Sequence, residues 1–184
     1  MAAPVFFIFL ILDAVLVLLS FIQKSRIPKT SKVSDENFAV MLPEAVAIIG
    51  AIGALVCLAV VIGFTFFSAE QPHWIFYLTY GLFLWGSVYL IIKTQTFKVV
   101  VKGKSVTVFS GFKKPYAFAF DEVVSAVRQI KHNQVKSERI VIKTAFGKRL
   151  IVESLEISYK RFAKKVLSEV DENCLVGFEG VQDF

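Results

Sequence analysis

The chain has 184 residues, a formal net charge of +6, 55% hydrophobic side chains and a mean hydropathy of +0.63, against about 45–50% apolar residues in ordinary globular chains. Residues 1–92 hold only nine Asp, Glu, Lys and Arg side chains, four basic against five acidic (net −1), whereas residues 93–184 hold twenty-seven, seventeen basic against ten acidic (net +7). This partition excludes a single water-soluble globule, two cysteines exclude a disulfide scaffold, and nineteen phenylalanines exclude a disordered chain.

Three stretches are long and apolar enough to span a bilayer, which needs about 20 helical residues. They are residues 4–22, broken only by Asp13 and Ser20, residues 43–67, with Glu44 at the edge, and residues 74–92, which carry no charge. No basic residue precedes the first stretch, and Leu18-Leu19-Ser20-Phe21-Ile22 lacks a small-x-small cleavage site, so it reads as a retained span rather than a signal peptide. The link after it carries Lys24, Arg26, Lys29 and Lys32, followed by Asp35 and Glu36; the link before the third span carries only Glu70; Lys93 and a basic region follow the third. The positive-inside bias then sets the N-terminus and second link outside, and the first link and the C-terminal region in the cytoplasm. Trp74, Tyr77 and Tyr80 fall where interfacial anchors of the third span belong.

Two features of the spans stand out. Ala47, Gly50, Ala51 and Ala54 form small-xxx-small pairs that suit close helix packing, either among these helices or with another copy or partner. Asp13 is the one acid near mid-membrane, where an ionised carboxylate costs about 2.5–3.5 kcal/mol on insertion scales. No Lys, Arg or His matches its depth, so it is either a protonated, hydrogen-bonded group or a partner-recognition or proton-handling site.

From residue 96 the pattern turns to alternation, which indicates strands. Phe97, Val99 and Val101 share a face; Val106 and Val108 follow after a Gly103-Lys104 turn; Tyr116, Phe118 and Phe120 follow a Gly111–Pro115 loop. Val123–Ile130 makes a fourth strand, Lys131–Glu138 a polar loop, and Arg139–Thr144 with Arg149–Glu153 a hairpin. Tyr159, Phe162, Ala163, Val166, Leu167 and Val170 then stripe one face of a helix, with Ser158 as its N-cap. Domain bounds follow as 1–92, 93–170 and a fraying tail at 171–184.

Catalytic patterns are missing. There is no phosphate loop, GxSxG elbow or HExxH pair. His73 and His132 lack companions at metal-ligand spacing, Cys57 and Cys174 read as inert thiols, and Asp121-Glu122 would point to opposite faces of a strand. The expectation is a non-enzyme without cofactor. The remaining signal is positive charge: Lys102, Lys104, Lys113 and Lys114 on two early loops, and Lys160, Arg161, Lys164 and Lys165 on the helix. Near anionic lipid each Lys or Arg contributes about 1 kcal/mol, so these eight are candidate lipid-surface contacts, or simply a solvated basic face. No exposed aromatic platform favours nucleic acid.

The strand succession through Phe97–Ile130, the Phe120-Asp121-Glu122-Val123-Val124 junction, the hairpin around Gly147 and the closing helix resemble a bacterial pleckstrin-homology-like domain. The fold class is therefore three membrane helices plus a small cytosolic α+β domain, a curved antiparallel sheet closed by one C-terminal amphipathic helix. The resemblance implies seven strands, of which six can be counted. It also implies a multi-pass protein of the bacterial inner membrane, with membrane lipid and a protein partner or second copy as its partners. A small transporter or channel subunit using Asp13 is the alternative.

Overall fold

The structure is a computed structural model that describes residues 2–27, 34, 36–68, 72–132 and 136–179. Lys29, Lys32, Asp35 and Glu70, which entered the charge argument, lie outside the described residues, as does the side chain of His132. The chain forms two compact units: residues 1–27 with 44–96, and residues 28–43 with 97–184.

The first unit is three helices, α1 (Ala2–Arg26), α2 (Glu44–Phe67) and α3 (Trp74–Thr96). Each is long and apolar enough to cross a membrane by length and composition, and each matches its expected span to within four residues. Helix α3 continues past Ile92 to Thr96, and the Thr94 and Thr96 hydroxyls donate back to the carbonyls of Leu90 and Ile92, at 2.8 and 2.7 Å. It packs against both α1 and α2. Phe6, Cys57, Val61, Tyr77, Leu84 and Val88 form a narrow interior. Most large apolar side chains, Ile49, Leu55 and Phe83 among them, point outward, a surface far too apolar for a water-facing helix bundle.

Among the described residues, the second unit contains eight strands and one α-helix. Strands β1 (Asn37–Met41), β2 (Lys98–Lys102), β3 (Ser105–Phe109) and β4 (Tyr116–Ala119) make one antiparallel sheet in that order. Strands β5 (Val123–His132), β6 (Lys136–Thr144), β7 (Arg149–Glu153) and β8 (Leu175–Val176) make the other, ordered β7-β6-β5-β8, with β8 parallel to β5. A 3-10 turn at Phe120–Glu122 carries the chain from one sheet to the other. At the opposite corner the Ile157 amide donates to the Met41 carbonyl at 2.8 Å. Helix α4 (Tyr159–Glu169) lays Tyr159, Phe162, Ala163 and Val166 onto the core, the stripe expected of it.

Strand β1 departs most from the sequence reading, which left residues 34–42 as a link. Phe38 and Val40 are fully buried, opposite Val101 and Val99. The five-residue run has no strand neighbour within fifty residues of sequence, so local alternation cannot identify its partner. Other differences have equally local causes. The ladder β5–β6 runs to His132↔Lys136, where a polar loop was expected, because Lys131, His132, Lys136, Ser137 and Glu138 supply no apolar period in the sequence. Residues 171–179 do not fray: Asp171 caps a 3-10 turn, β8 joins the sheet edge and Phe178 is buried in the core. Asp121 and Glu122, read as a strand boundary, sit in the 3-10 turn between β4 and β5, and Glu122 accepts the Ala119 amide at 2.8 Å. Ser158 occupies the N-cap position in left-handed backbone (φ 67°) and makes no side-chain capping bond.

Removing the largest β1 anchor tests the ladder. Phe38→Ala should cost about 3–5 kcal/mol and should strip amide-exchange protection from Val99–Val101. Unchanged protection there would show that β1 is dispensable to the sheet.

Candidate functional site

The helical unit contains a cleft with a buried carboxyl in its wall. Between the N-terminal halves of α1 and α3 lies a groove of about 600 Å³, lined by Phe6, Leu12, Asp13, Tyr77, Gly81 and Trp85 among others. Asp13 is only 8% exposed. Its neighbours in the lining are otherwise aliphatic or aromatic, and no hydrogen bond or ion pair reaches it among the described residues. Phe6 and Tyr77 pack with ring centroids 6.2 Å apart, and Gly81 leaves space opposite Phe6. Tyr77, expected as an interfacial anchor, is buried instead, its hydroxyl sharing a hydrogen bond with Thr65 at 3.2 Å.

The small residues of α2 divide by face. A Cβ on Gly50 would lie 2.7 Å from the Ser87 carbonyl, and one on Gly53 would lie 2.7 Å from the Ser87 hydroxyl. Ala54 packs beside the interior, Ala47 is half-buried and Ala51 faces outward. The close approach is therefore made to α3, through Gly50 and a glycine, Gly53, at which the spacing motif only hinted.

The eight basic candidates do not form one patch. Glu169, at the end of α4, accepts Lys165 at 2.9 Å and faces Lys104 at 3.8 Å, which brings the Lys102–Lys104 turn to the C-terminal end of α4. The bond from Lys165 holds the Glu169 carboxyl below the usual carboxylate range. Lys113 and Lys114 lie beyond the other end of β3, about 15 Å away at strand rise. Lys160 and Arg161 occupy the first turn of α4, next to Ile157 and Met41. Lys164 is exposed between the two ends.

A buried polar group inside the sheet unit escaped the sequence reading. Arg128 Nη2 donates to Glu138 Oε2 at 2.8 Å across β5–β6, and Arg128 Nη1 donates to the Glu179 carbonyl at 3.2 Å. Arg128 is in phase with the buried Ala126, the only signal that its side chain turns inward. Gly177, at φ +76°, passes so close to the Arg128 backbone that a Cβ would lie 2.6 Å from its carbonyl oxygen. Arg128 thus ties the C-terminal segment to the second sheet. Tyr159 of α4 shares this site; burial first, and then the Glu138 charge, push its phenol up to about 12. Among the described residues no three His, Cys, Asp or Glu side chains converge as a metal site.

No protein-family model, curated protein or solved structure matches the chain.

The Tyr159 site sets a pH dependence. An unfolded phenol titrates near 10, so the folded unit retains the proton to higher pH. Its stabilising effect is complete below about pH 10 and is lost as pH rises toward 12. Tyr159→Phe should remove this decline, about 1–2 kcal/mol, from the urea midpoint of the sheet signal by circular dichroism between pH 9 and 11. Identical pH slopes for the two proteins would exclude Tyr159 as the titrating group.

Proposed function

We propose that this chain is a three-span membrane protein whose two cytoplasmic segments together build one pleckstrin-homology-like domain, a non-catalytic binding and assembly module held at the lipid surface. The carrying observation is the β1–β2 ladder. Residues 37–41 and 98–102 pair in one sheet, so they occupy the same side of any membrane, and α2 and α3 between them supply the two crossings this requires. That argument is independent of lysine counts. Together with the basic bias of the first link and the C-terminal region, it supports a cytoplasmic domain and an external N-terminus. The pleckstrin-homology reading draws support from seven antiparallel strands in two sheets closed by α4, with β1 as the seventh; β8 is an addition to that plan.

The lipid reading also gains a definite face. Met41, Lys98 and Phe109 lie in register at one end of the first sheet. From this end the chain runs into α2 through two residues and arrives from α3 through one. Beside this end are exposed apolar side chains, Phe112 on one flank and Leu155 and Ile157 on the other, with Lys113, Lys114, Lys160 and Arg161 next to them. Apolar tips ringed by lysines suit an anionic bilayer surface. Lys102, Lys104 and Lys165 belong to the far end and to Glu169, and have no part in this face.

Asp13 favours a second reading, a small transporter or channel subunit, because its carboxyl is buried against a groove. Proton uptake by proteoliposomes that Asp13→Asn abolishes would support it.

Two experiments test the leading reading. A reporter fused after Phe184 should read cytoplasmic and one inserted at Gln71 external; the reverse pattern would overturn the orientation. With Trp74 and Trp85 replaced by Phe, the variant Phe112→Trp should be quenched by brominated anionic lipid in vesicles. Phe146→Trp, at a more exposed position on the β6–β7 turn near Glu122, should not. Equal quenching of both would remove the proposed face.

A further inference from the structure

We infer that the α1–α3 groove is a binding site for a hydrophobic organic cation entering from the bilayer. This inference concerns the helical unit alone and stands apart from the role of the sheet domain.

Its volume, about 600 Å³, falls within the about 300–1,000 Å³ of small-ligand pockets. A partner helix lying along the same three turns would need more than about 1,000 Å³, from a helix diameter of about 10 Å. The lining states the chemistry of the occupant. Asp13 is more than nine-tenths buried, lines the groove and has no partner among the described residues. No Lys, Arg or His belongs to the lining, so the complementary charge has to arrive with a ligand. The rings of Phe6, Tyr77, Trp74 and Trp85 border the same space, and aromatic faces attract cations most strongly where water is excluded. Aliphatic walls from Leu12 and Leu82 accept the apolar body. A neutral acyl chain could fill the volume but would leave the carboxyl unsatisfied.

Depth agrees with this assignment. Phe6 packs on Tyr77 near the start of α3, and Asp13 lies seven residues, about 10 Å, further along α1. The acid therefore lies further along the span than the Phe6–Tyr77 contact, where a cation that dissolves in hydrocarbon can meet it.

The protein provides its own reporter, because Trp74 and Trp85 are its only tryptophans and both line the groove. Full-length protein in phosphatidylcholine nanodiscs should show a saturable change in indole emission with tetraphenylphosphonium, and none with the neutral triphenylphosphine oxide. Asp13→Asn, which keeps size and hydrogen bonding, should weaken tetraphenylphosphonium at least about tenfold. Gly81→Leu, which fills the groove without touching the charge, should abolish the response. An unchanged affinity in Asp13→Asn, an equal response to the neutral compound, or no saturable response in the wild-type protein would each overturn the assignment. Retained α-helical dichroism in the variants separates loss of the site from loss of the fold.

Discussion

The ladder between residues 37–41 and 98–102 is the constraint from which the rest of the architecture follows. Fifty-six residues separate Met41 from its partner Lys98, and closing a flexible loop of that length costs conformational entropy before any strand bond repays it. Here the intervening chain is not flexible. Helices α2 and α3 have 24 and 23 residues, about 36 and 35 Å at helical rise, and an antiparallel pair of equal length returns the chain level with its starting point. Gly50 lets the two backbones meet at the Ser87 carbonyl, where a Cβ would force them apart, and Gly53 leaves room for the Ser87 hydroxyl.

The charges follow the same division. The sheet unit carries most of the positive charge of the chain, yet its fold sorts that charge into two ends with different fates. At one end Glu169 draws in Lys165 and Lys104, a partly neutralised corner that steadies α4 against the β2–β3 turn. At the other, Lys113 and Lys114 stand beside an exposed Phe112, next to the strand ends that lead to the helices. A count of lysines sees a single basic domain; the register of β1, β2 and β3 separates structural cations from those free to meet a surface.

Much of this was legible from residue order, and the omissions share a cause. The three helices, the α4 stripe and the strands β2 to β7 announce themselves through local periodicity, because each buries a face made by its own consecutive residues. Strand β1 and strand β8 do not: each is short and takes its partner from far along the chain, so nothing nearby sets its period. The β5–β6 extension lacks an apolar face at all, and so resembles a loop. Arg128 is concealed by composition, since a charged residue at an inward position looks like an outward one until its partner Glu138, ten residues away, is seen across the ladder. Asp13 was conspicuous from the start, but the groove it lines depends on Gly81 and the rings of α3, which no pattern in α1 foretells.

Two acids, the partly buried Glu138 and the buried Asp13, make an instructive pair. Glu138 is partly buried with a guanidinium at 2.8 Å and on a strand ladder, so its charge is compensated within the fold, and removing it would leave the buried Arg128 without its carboxylate. Asp13 has no such compensation among the described residues, although Leu, Ile, Phe or Val at the centre of a span is favourable on insertion scales. Helix packing does not need it, because Phe6, Leu84 and Val88 already supply the interior. An acid that the fold neither uses nor neutralises, set in the wall of a groove between aromatic rings, is best explained by something that binds there.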